Sequence, residues 1–379
     1  MRIGINFHTN DEYISGVEYY SLGLLNALLR IDTQNDYIAF TNQPCLVRQH
    51  IPKSTNLTII EIKHLRTRAA RIFWEHTQLP RLAVKQELDV LHCTSYICPL
   101  HKTSVPYIVT IHDTIAIDNP LWCKQTNSLY FNLFMKAATK KASCVISVSN
   151  CTADDLKRNF DLPCSKIHVV YSGIDNIFNA KKDSSRCSEV STRYNLPERY
   201  ILYAGNIEPK KNIWTLLCVQ KKLRKKGLPH KLVIVGKRSW GCKVELDEIS
   251  REIRSGNIVW TGYVDRSDLP CVYQMADVFV FPSLYEGFGF PPLEAMACGT
   301  PVVSTITGAL NETVADAALT VEPHDIRQIA RAVVSMIENS SLREKHIRMG
   351  LRQSSLFNWE RTAKETLSVY EEVSATNGQ

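Results

Sequence analysis

No stretch of this chain approaches eighteen consecutive apolar residues, so the sequence offers no candidate for a membrane-spanning helix. The opening residues, Met1 to Phe7, run straight into a strand pattern and lack the order of a secretory signal. No Gly-x-Gly-x-x-Gly follows any expected strand, which argues against a dinucleotide-dependent oxidoreductase. Internal repeats are missing as well. Cysteine is not scarce, at 12 residues, but paired zinc-type spacing is absent. Cys93 and Cys98 lie nearest one another and fit no metal motif. All twelve read as reduced, mostly buried thiols of a cytoplasmic protein, and no metal or other cofactor is expected.

What is present bounds the answer further. A chain of 379 residues exceeds what one core usually supports, so two domains are expected. Hydrophobic content of 44% and charged content of 22% are those of an ordinary globular protein. The net charge of +7 suits an anionic ligand or an anionic surface, and a solvated exterior explains it equally well. No nucleic-acid partner is expected.

Residues 1–180 alternate strand and helix signals. The strands are Arg2 to Phe7, Tyr37 to Phe40, Leu57 to Ile62, Asp89 to His92, Tyr107 to His112, Cys144 to Ser149 and Ile167 to Tyr171, with an amphipathic helix over Glu18 to Leu29. Residues 181–199 are polar and read as a connection. A second alternating series fills 200–355, with strands at Tyr200 to Ala204, Lys231 to Val235, Ile258 to Gly262 and Val278 to Phe281, and a helix from Trp214 to Lys226. A further helix, Trp359 to Val373, closes the chain within 356–379. The alternation implies two doubly wound α/β halves, whose ligands bind beyond the carboxyl ends of the strands.

The most informative string is Phe281-Pro-Ser-Leu-Tyr-Glu286-Gly287-Phe288-Gly289-Phe290-Pro291-Pro292-Leu-Glu294, which runs on to Gly299 and Pro301. A buried strand leads into a glycine-rich loop with Glu286 at its entrance. Pro291 and Pro292 suit the first helical positions, and Gly299 ends the helix after two turns. Such a loop presents free N–H groups and a positive dipole end, a place for a diphosphate. Glu294 is expected in the first turn, either as a dipole-favourable residue or as a ligand for hydroxyls. After the first strand of this half comes Ala204-Gly205-Asn206-Ile-Glu208-Pro209-Lys210-Lys211-Asn212. Here a glycine lets a ligand approach the backbone, and a lysine at a helix start can reach a phosphate. A solvated lysine pair is the bland alternative.

The first string resembles the Glu-x7-Glu motif of retaining GT-B glycosyltransferases, specifically family GT4, and the second resembles that family's Gly-x4-Pro-Arg-Lys-Asn turn. The resemblance covers nearly the whole chain. It implies two Rossmann-like domains facing a cleft: residues 1–180 for the acceptor, 200–355 for a nucleotide diphosphate sugar, and a terminal helix crossing back to the first domain. It assigns Lys211 to the diphosphate, Glu286 to the transferred sugar and Glu294 to the ribose, with Gly287, Phe288, Gly289 and Phe290 supplying backbone N–H groups. Gly205, Asn206, Gly236, Tyr263 and Val264 then line the nucleotide. This chain has Lys210 where the family often has arginine, and Asn206 where some members place one, so the diphosphate is expected to meet one charge fewer.

In the first half, Ser15-Gly16-Val17-Glu18 carries one glycine only, and Thr110-Ile-His112-Asp113-Thr114 ends a strand, as in the subgroup of mannosyl- and rhamnosyltransferases that build bacterial surface polysaccharides. Gly16 is expected to touch the donor and His112 to serve its sugar subsite, although an isolated histidine is often structural and Asp113 could act as a helix cap. Asp175, in a recurrent turn, reads as structural. The family implication is a retaining hexosyltransferase, with mannose from GDP-mannose as the expected donor and a glycan or lipid-linked acceptor. A UDP-sugar enzyme and a non-catalytic relative are the alternatives. Nothing resembles a pyridoxal phosphate lysine site. Lys63, Arg66, Arg68 and Arg71 precede Ile72-Phe73-Trp74, which suggests peripheral membrane contact or a merely solvated face, and Lys221 to Lys226 reads as solvated surface.

Overall fold

The computed structural model describes residues 1–7, 14, 16–63, 67–101 and 103–377, and the chain divides into two compact units, Met1–Gly173 with Phe357–Gln379 and Ile174–Leu356. In the first unit the strands are β1 (Arg2–Asn6), β2 (Asp36–Thr41), β3 (Leu57–Glu61), β4 (Val90–Cys93), β5 (Tyr107–Ile111), β6 (Cys144–Ser147) and β7 (Ile167–Val169). They form one parallel sheet in the order β3-β2-β1-β4-β5-β6-β7. Its helices are α1 (Gly16–Ile31), α2 (Pro44–His50), α3 (Arg68–Lys85), α4 (Ile115–Asp118), α5 (Gln125–Lys141) and α6 (Asn150–Phe160), joined by the terminal helix Trp359–Asn377, which packs on α1.

The second unit repeats the plan with β8 (Tyr200–Ala204), β9 (Lys231–Val235), β10 (Ile258–Gly262), β11 (Val278–Phe281), β12 (Val302–Thr305) and β13 (Leu319–Val321), all parallel in the order β10-β9-β8-β11-β12-β13. Its helices are α7 (Ser184–Arg193), α8 (Ile213–Lys225), α9 (Lys243–Arg254), α10 (Leu269–Gln274), α11 (Phe290–Ala297), α12 (Leu310–Thr313), α13 (Ile326–Glu338) and α14 (Ser340–Ser355). Strands such as β8 and β11 are buried along their whole length, which is why they read as unbroken apolar runs. The strand order reverses between β1 and β4 in one sheet and between β8 and β11 in the other, and that reversal is where open α/β sheets leave a crevice.

Several expectations need correction. Residues 181–199 are not a bare connection. Within them α7 is capped by Asp183, whose side chain accepts from the Arg186 amide, and it buries Cys187 and Val190 in the second unit. Arg193 reaches the fully buried Asp268 at 2.7 Å, and Arg186 pairs with the same carboxylate. The polar composition that suggests a linker is therefore the outer face of an amphipathic helix. The run from Lys221 is not simply solvated, because Lys221 pairs with Glu248 and Arg224 with Glu252 at 3.3 Å, both on α9. Around α3 the basic stretch is divided. Arg71 is largely buried and bonds Glu75 at 3.0 Å, while Ile72 and Trp74 pack against the core. Only Lys63 and Phe73 face outward; Arg66 and the Arg68 side chain lie outside the described residues. No helix among the described residues is long and apolar enough to cross a membrane, and all twelve cysteines are free thiols.

The terminal helix is fastened through a buried histidine. His92 on β4 has ring nitrogens 2.7 Å from the Tyr370 hydroxyl and 2.7 Å from the Thr110 hydroxyl. Burial drives its pKa down to about 3, with nearby His112 adding to the shift. The imidazole is thus neutral when folded and gains a proton only on unfolding. Between about pH 6.5 and about pH 3 the unfolded chain binds one proton more, so stability rises with pH across that window. Stability is expected to fall by about 1.4 kcal/mol per pH unit below pH 6 from this group alone. Chemical denaturation at pH 7 and pH 5 checks it: His92→Gln should flatten the slope by one proton, and an unchanged slope would refute the assignment.

Candidate functional site

The site grows from two neighbouring strands at the reversal in the second sheet. After β8 the chain passes through Gly205 and Asn206 to a short turn, Pro209–Lys211, and reaches Asn212 in left-handed backbone before α8 begins. Asn212 is the pin of this turn. Its amide donates to the carbonyls of Pro282 at 3.1 Å and Pro323 at 2.7 Å, and its side-chain oxygen accepts from Thr215 at 2.8 Å. The Lys210 carbonyl accepts from the Leu284 amide at 2.7 Å. The loops after β8 and β11 are thereby locked side by side, and two residues far apart in sequence meet.

Those residues are Lys211 and Glu286. The Lys211 ammonium lies 2.6 Å from Glu286 Oε1, and the Ser283 hydroxyl donates to the same oxygen at 2.6 Å. Both side chains are nearly buried, at 13% and 9% exposure. The ammonium also sits 5.2 Å from the centre of the Phe281 ring. Burial alone would raise the Glu286 pKa, but the charges of Lys211 and Lys210 and the hydrogen bonds from Lys211 and Ser283 outweigh it, holding the carboxyl below the usual range. Glu286 is consequently an ionised acceptor at neutral pH and unsuited to act as a general acid. Behind it, the Glu286 carbonyl accepts from the Ala309 amide at 2.8 Å, and a Cβ on Gly308 would fall 2.4 Å from that carbonyl oxygen. Gly308, absent from the sequence-derived candidates, is what lets the loop after β12 press against Glu286.

Gly289, in left-handed backbone, precedes α11, and no side chain caps that helix start. Pro291 and Pro292 are its second and third residues. Glu294 is correspondingly one residue further along than expected: it is the fifth residue of α11, just past the first turn. It is buried at 5% exposure, takes a hydrogen bond from the Tyr273 hydroxyl at 3.0 Å and pairs with Arg266 at 3.2 Å. Here burial prevails, and its pKa is pushed up despite Arg266 and Tyr273, with Asp175 adding to the rise. The two glutamates of one motif thus sit in opposite electrostatic settings.

The remaining candidates of this unit line the same edge. The Gly205 amide donates to Val235 and the Gly236 amide to Gly262 at 2.8 Å, so the ends of β8, β9 and β10 lie together. A Cβ on Gly236 would come within 2.1 Å of the Gly205 carbonyl oxygen, which requires glycine there. Asn206 is exposed, and its side-chain oxygen accepts from the Lys237 amide at 3.3 Å. Lys237 in turn lies 5.1 Å above the Tyr263 ring, while Val264 is buried. Phe288 is buried edge-to-face against Phe290, ring centres 4.9 Å apart.

In the first unit Gly16 opens α1, and Ser15 before it lies outside the described residues. His112 follows β5, with Nε2 2.8 Å from the Thr94 carbonyl at the end of β4. A carbonyl only accepts, so Nε2 carries the proton and Nδ1 is an acceptor in the neutral ring. Tyr20 of α1 and Tyr96 meet this ring edge-on at 4.9 and 5.4 Å. Burial lowers the His112 pKa, against the opposing Thr94 hydrogen bond and Asp113 charge. The Asp113 carboxylate accepts from the Ile115 amide at 3.2 Å, but the cap position of α4 is Thr114, so Asp113 is not the helix cap.

With this geometry in hand, comparison with known proteins places the chain. Residues 14–176 match the family model "Glycosyltransferase Family 4", and residues 189–352 match "Glycosyl transferases group 1". The chain is 32% identical over 265 residues to O-antigen chain mannosyltransferase B of Escherichia coli, covering 69% of each chain. It is 27% identical over 72% of its length to the serotype-specific mannosyltransferase WbdA of the same organism, and spans 34% of that protein. Among solved structures, Anabaena HepE in complex with UDP and glucose superimposes with a TM-score of 0.74 over 97% of this chain and 99% of its own, at 17% identity. Two Rossmann-like units, the paired Lys211 and Glu286 and these matches agree: the chain belongs to the family 4 glycosyltransferases of the GT-B fold, and it is a glycosyltransferase.

Proposed function

We propose that the chain transfers mannose from GDP-mannose to a hydroxyl of a glycan or lipid-linked acceptor, with retention of configuration and without a metal. The observation that carries the donor-site reading is the buried Lys211–Glu286 pair beside the uncapped start of α11. Breaking the anomeric C–O bond puts charge on the leaving diphosphate. In this reading Lys211, the N–H groups of residues 287–290 and the helix dipole stabilise that charge. Glu286, kept ionised, accepts hydrogen bonds from hydroxyls of the transferred sugar, and Glu294 accepts those of the ribose. Neither acts as a nucleophile, so attack by the acceptor on the face that the diphosphate leaves accounts for retention. His112 offers its Nδ1 acceptor to a sugar hydroxyl. Mannose rests on the relatives named mannosyltransferases, and guanine on the subgroup resemblance alone. The structure of HepE with UDP and glucose favours, as a second reading, a UDP-sugar.

Incubating the purified chain with GDP-mannose, UDP-glucose or UDP-galactose and a synthetic mannoside acceptor, in EDTA, separates these readings. An α-linked mannoside from GDP-mannose alone is expected, by NMR of the product. Transfer from a UDP-sugar alone would select the second reading, and a β-linked product would refute retention.

A further inference from the structure

Arg266 had no place among the sequence-derived candidates, yet it is held on three sides. Its Nε and Nη2 lie 2.8 and 2.7 Å from one oxygen of Asp175, its Cζ lies 4.9 Å from the centre of the Phe178 ring, and its Nη1 lies 3.2 Å from Glu294 Oε1. A guanidinium so anchored holds its Nη1 in one fixed direction toward Glu294. On the far side the Tyr273 hydroxyl, fully buried, donates to Glu294 Oε2 at 3.0 Å. An ionised carboxylate has about four acceptor positions. Among the described residues one donor occupies each oxygen, which leaves one position open on each. Two adjacent open positions on one rigid carboxylate match two neighbouring hydroxyls.

We propose that Arg266 is a positioning residue of the donor site, fixing the Glu294 carboxylate so that its two open acceptor positions receive a vicinal diol of the nucleotide ribose. The proposal rests on the reading of Glu294 as the ribose ligand and adds the residue that makes that ligand selective. Without Arg266 the buried carboxyl loses its main neighbouring cation, which pushes its pKa further up and favours the protonated form. Protonation would turn one acceptor position into a donor and release the side chain from its orientation. Lysine in its place would keep the charge but could not bridge Asp175 and Glu294 with a planar fork.

The test is a ratio of affinities, which a purely structural role would not move. Calorimetric titration compares GDP with 2′-deoxy-GDP, and UDP with 2′-deoxy-UDP, on the wild-type chain and its variants. Wild type is expected to favour the ribonucleotide by about tenfold, the value of one hydrogen bond to a charged group. Arg266→Ala and Arg266→Lys are expected to bring that ratio within about twofold of unity. Asp175→Asn, which loosens only the anchor, should give an intermediate ratio and serves if Arg266→Ala does not fold. A tenfold preference kept in Arg266→Lys and Asp175→Asn would overturn the positioning role. If Glu294→Ala keeps the wild-type preference, or wild type shows none, the ribose reading itself falls and the proposal with it.

Discussion

Replacing Glu286 by Gln is expected to lower glycosyl transfer by about a hundredfold to a thousandfold, the range seen when one preorganised polar group of an active site is removed. Nucleotide affinity should change by no more than a few-fold. The carboxylate is ionised because Lys211 and Ser283 converge on Oε1 and the charge of Lys210 reinforces them. Gln fills the same space, under the same Gly308 contact and the same Ala309 hydrogen bond to the backbone. What it removes is the negative charge and half of the acceptor capacity that the transferred sugar would meet. A loss confined to kcat, with the Kd for GDP preserved, places Glu286 at the sugar. Unimpaired transfer would show that it serves only as the counter-charge of Lys211.

The second large effect concerns that counter-charge. Lys211→Ala removes the expected diphosphate ligand and should weaken GDP binding by about 1.5–3 kcal/mol, the loss of a charged hydrogen bond. It also strands Glu286, a buried carboxylate at 9% side-chain exposure, without its principal cation. Breaking a buried pair from one side costs about 3 kcal/mol or more, so the ligand-free variant should melt roughly 6 to 12 °C below wild type. The double variant Lys211→Met with Glu286→Gln leaves no unpaired charge and should recover much of that loss without recovering nucleotide affinity. Scanning calorimetry with and without GDP reads both effects. If Lys211→Ala alters neither melting nor affinity, Lys211 is a surface residue.

The parts of this molecule that were legible in its sequence are those encoded locally. Continuous apolar runs announce β8, β9 and β11 because strands covered on both faces need no polar alternation. The Glu286 to Gly299 string announces a strand, a glycine loop and a two-turn helix because each punctuating residue acts on its own backbone. Lys211 and Glu286 were both visible, but their meeting across 75 positions was not, since no periodicity encodes it. The same holds for Arg266 and Asp175, 91 residues apart, and for Asn212, whose two carbonyl partners lie 70 and 111 positions away. Helix α7 was missed for another reason. Eight of its ten residues, all but the buried Cys187 and Val190, are Ser, Thr, Arg or Glu, so composition masked a narrow apolar stripe. Glu294 fell one residue deeper than expected because α11 begins at Phe290, one residue before Pro291, and pattern alone leaves such a boundary uncertain by a residue or more.

The central claim is that the carboxyl edge of β8 and β11 holds a nucleoside diphosphate through Lys211. Its most direct test is the thermal shift of the wild-type chain and Lys211→Ala against GDP, UDP, ADP and their sugar conjugates, without metal. One base should stabilise wild type selectively, by about 2.7 kcal/mol at a hundredfold excess over Kd, with a much smaller shift in the variant. No shift with any nucleotide, or an equal shift in both proteins, would contradict it.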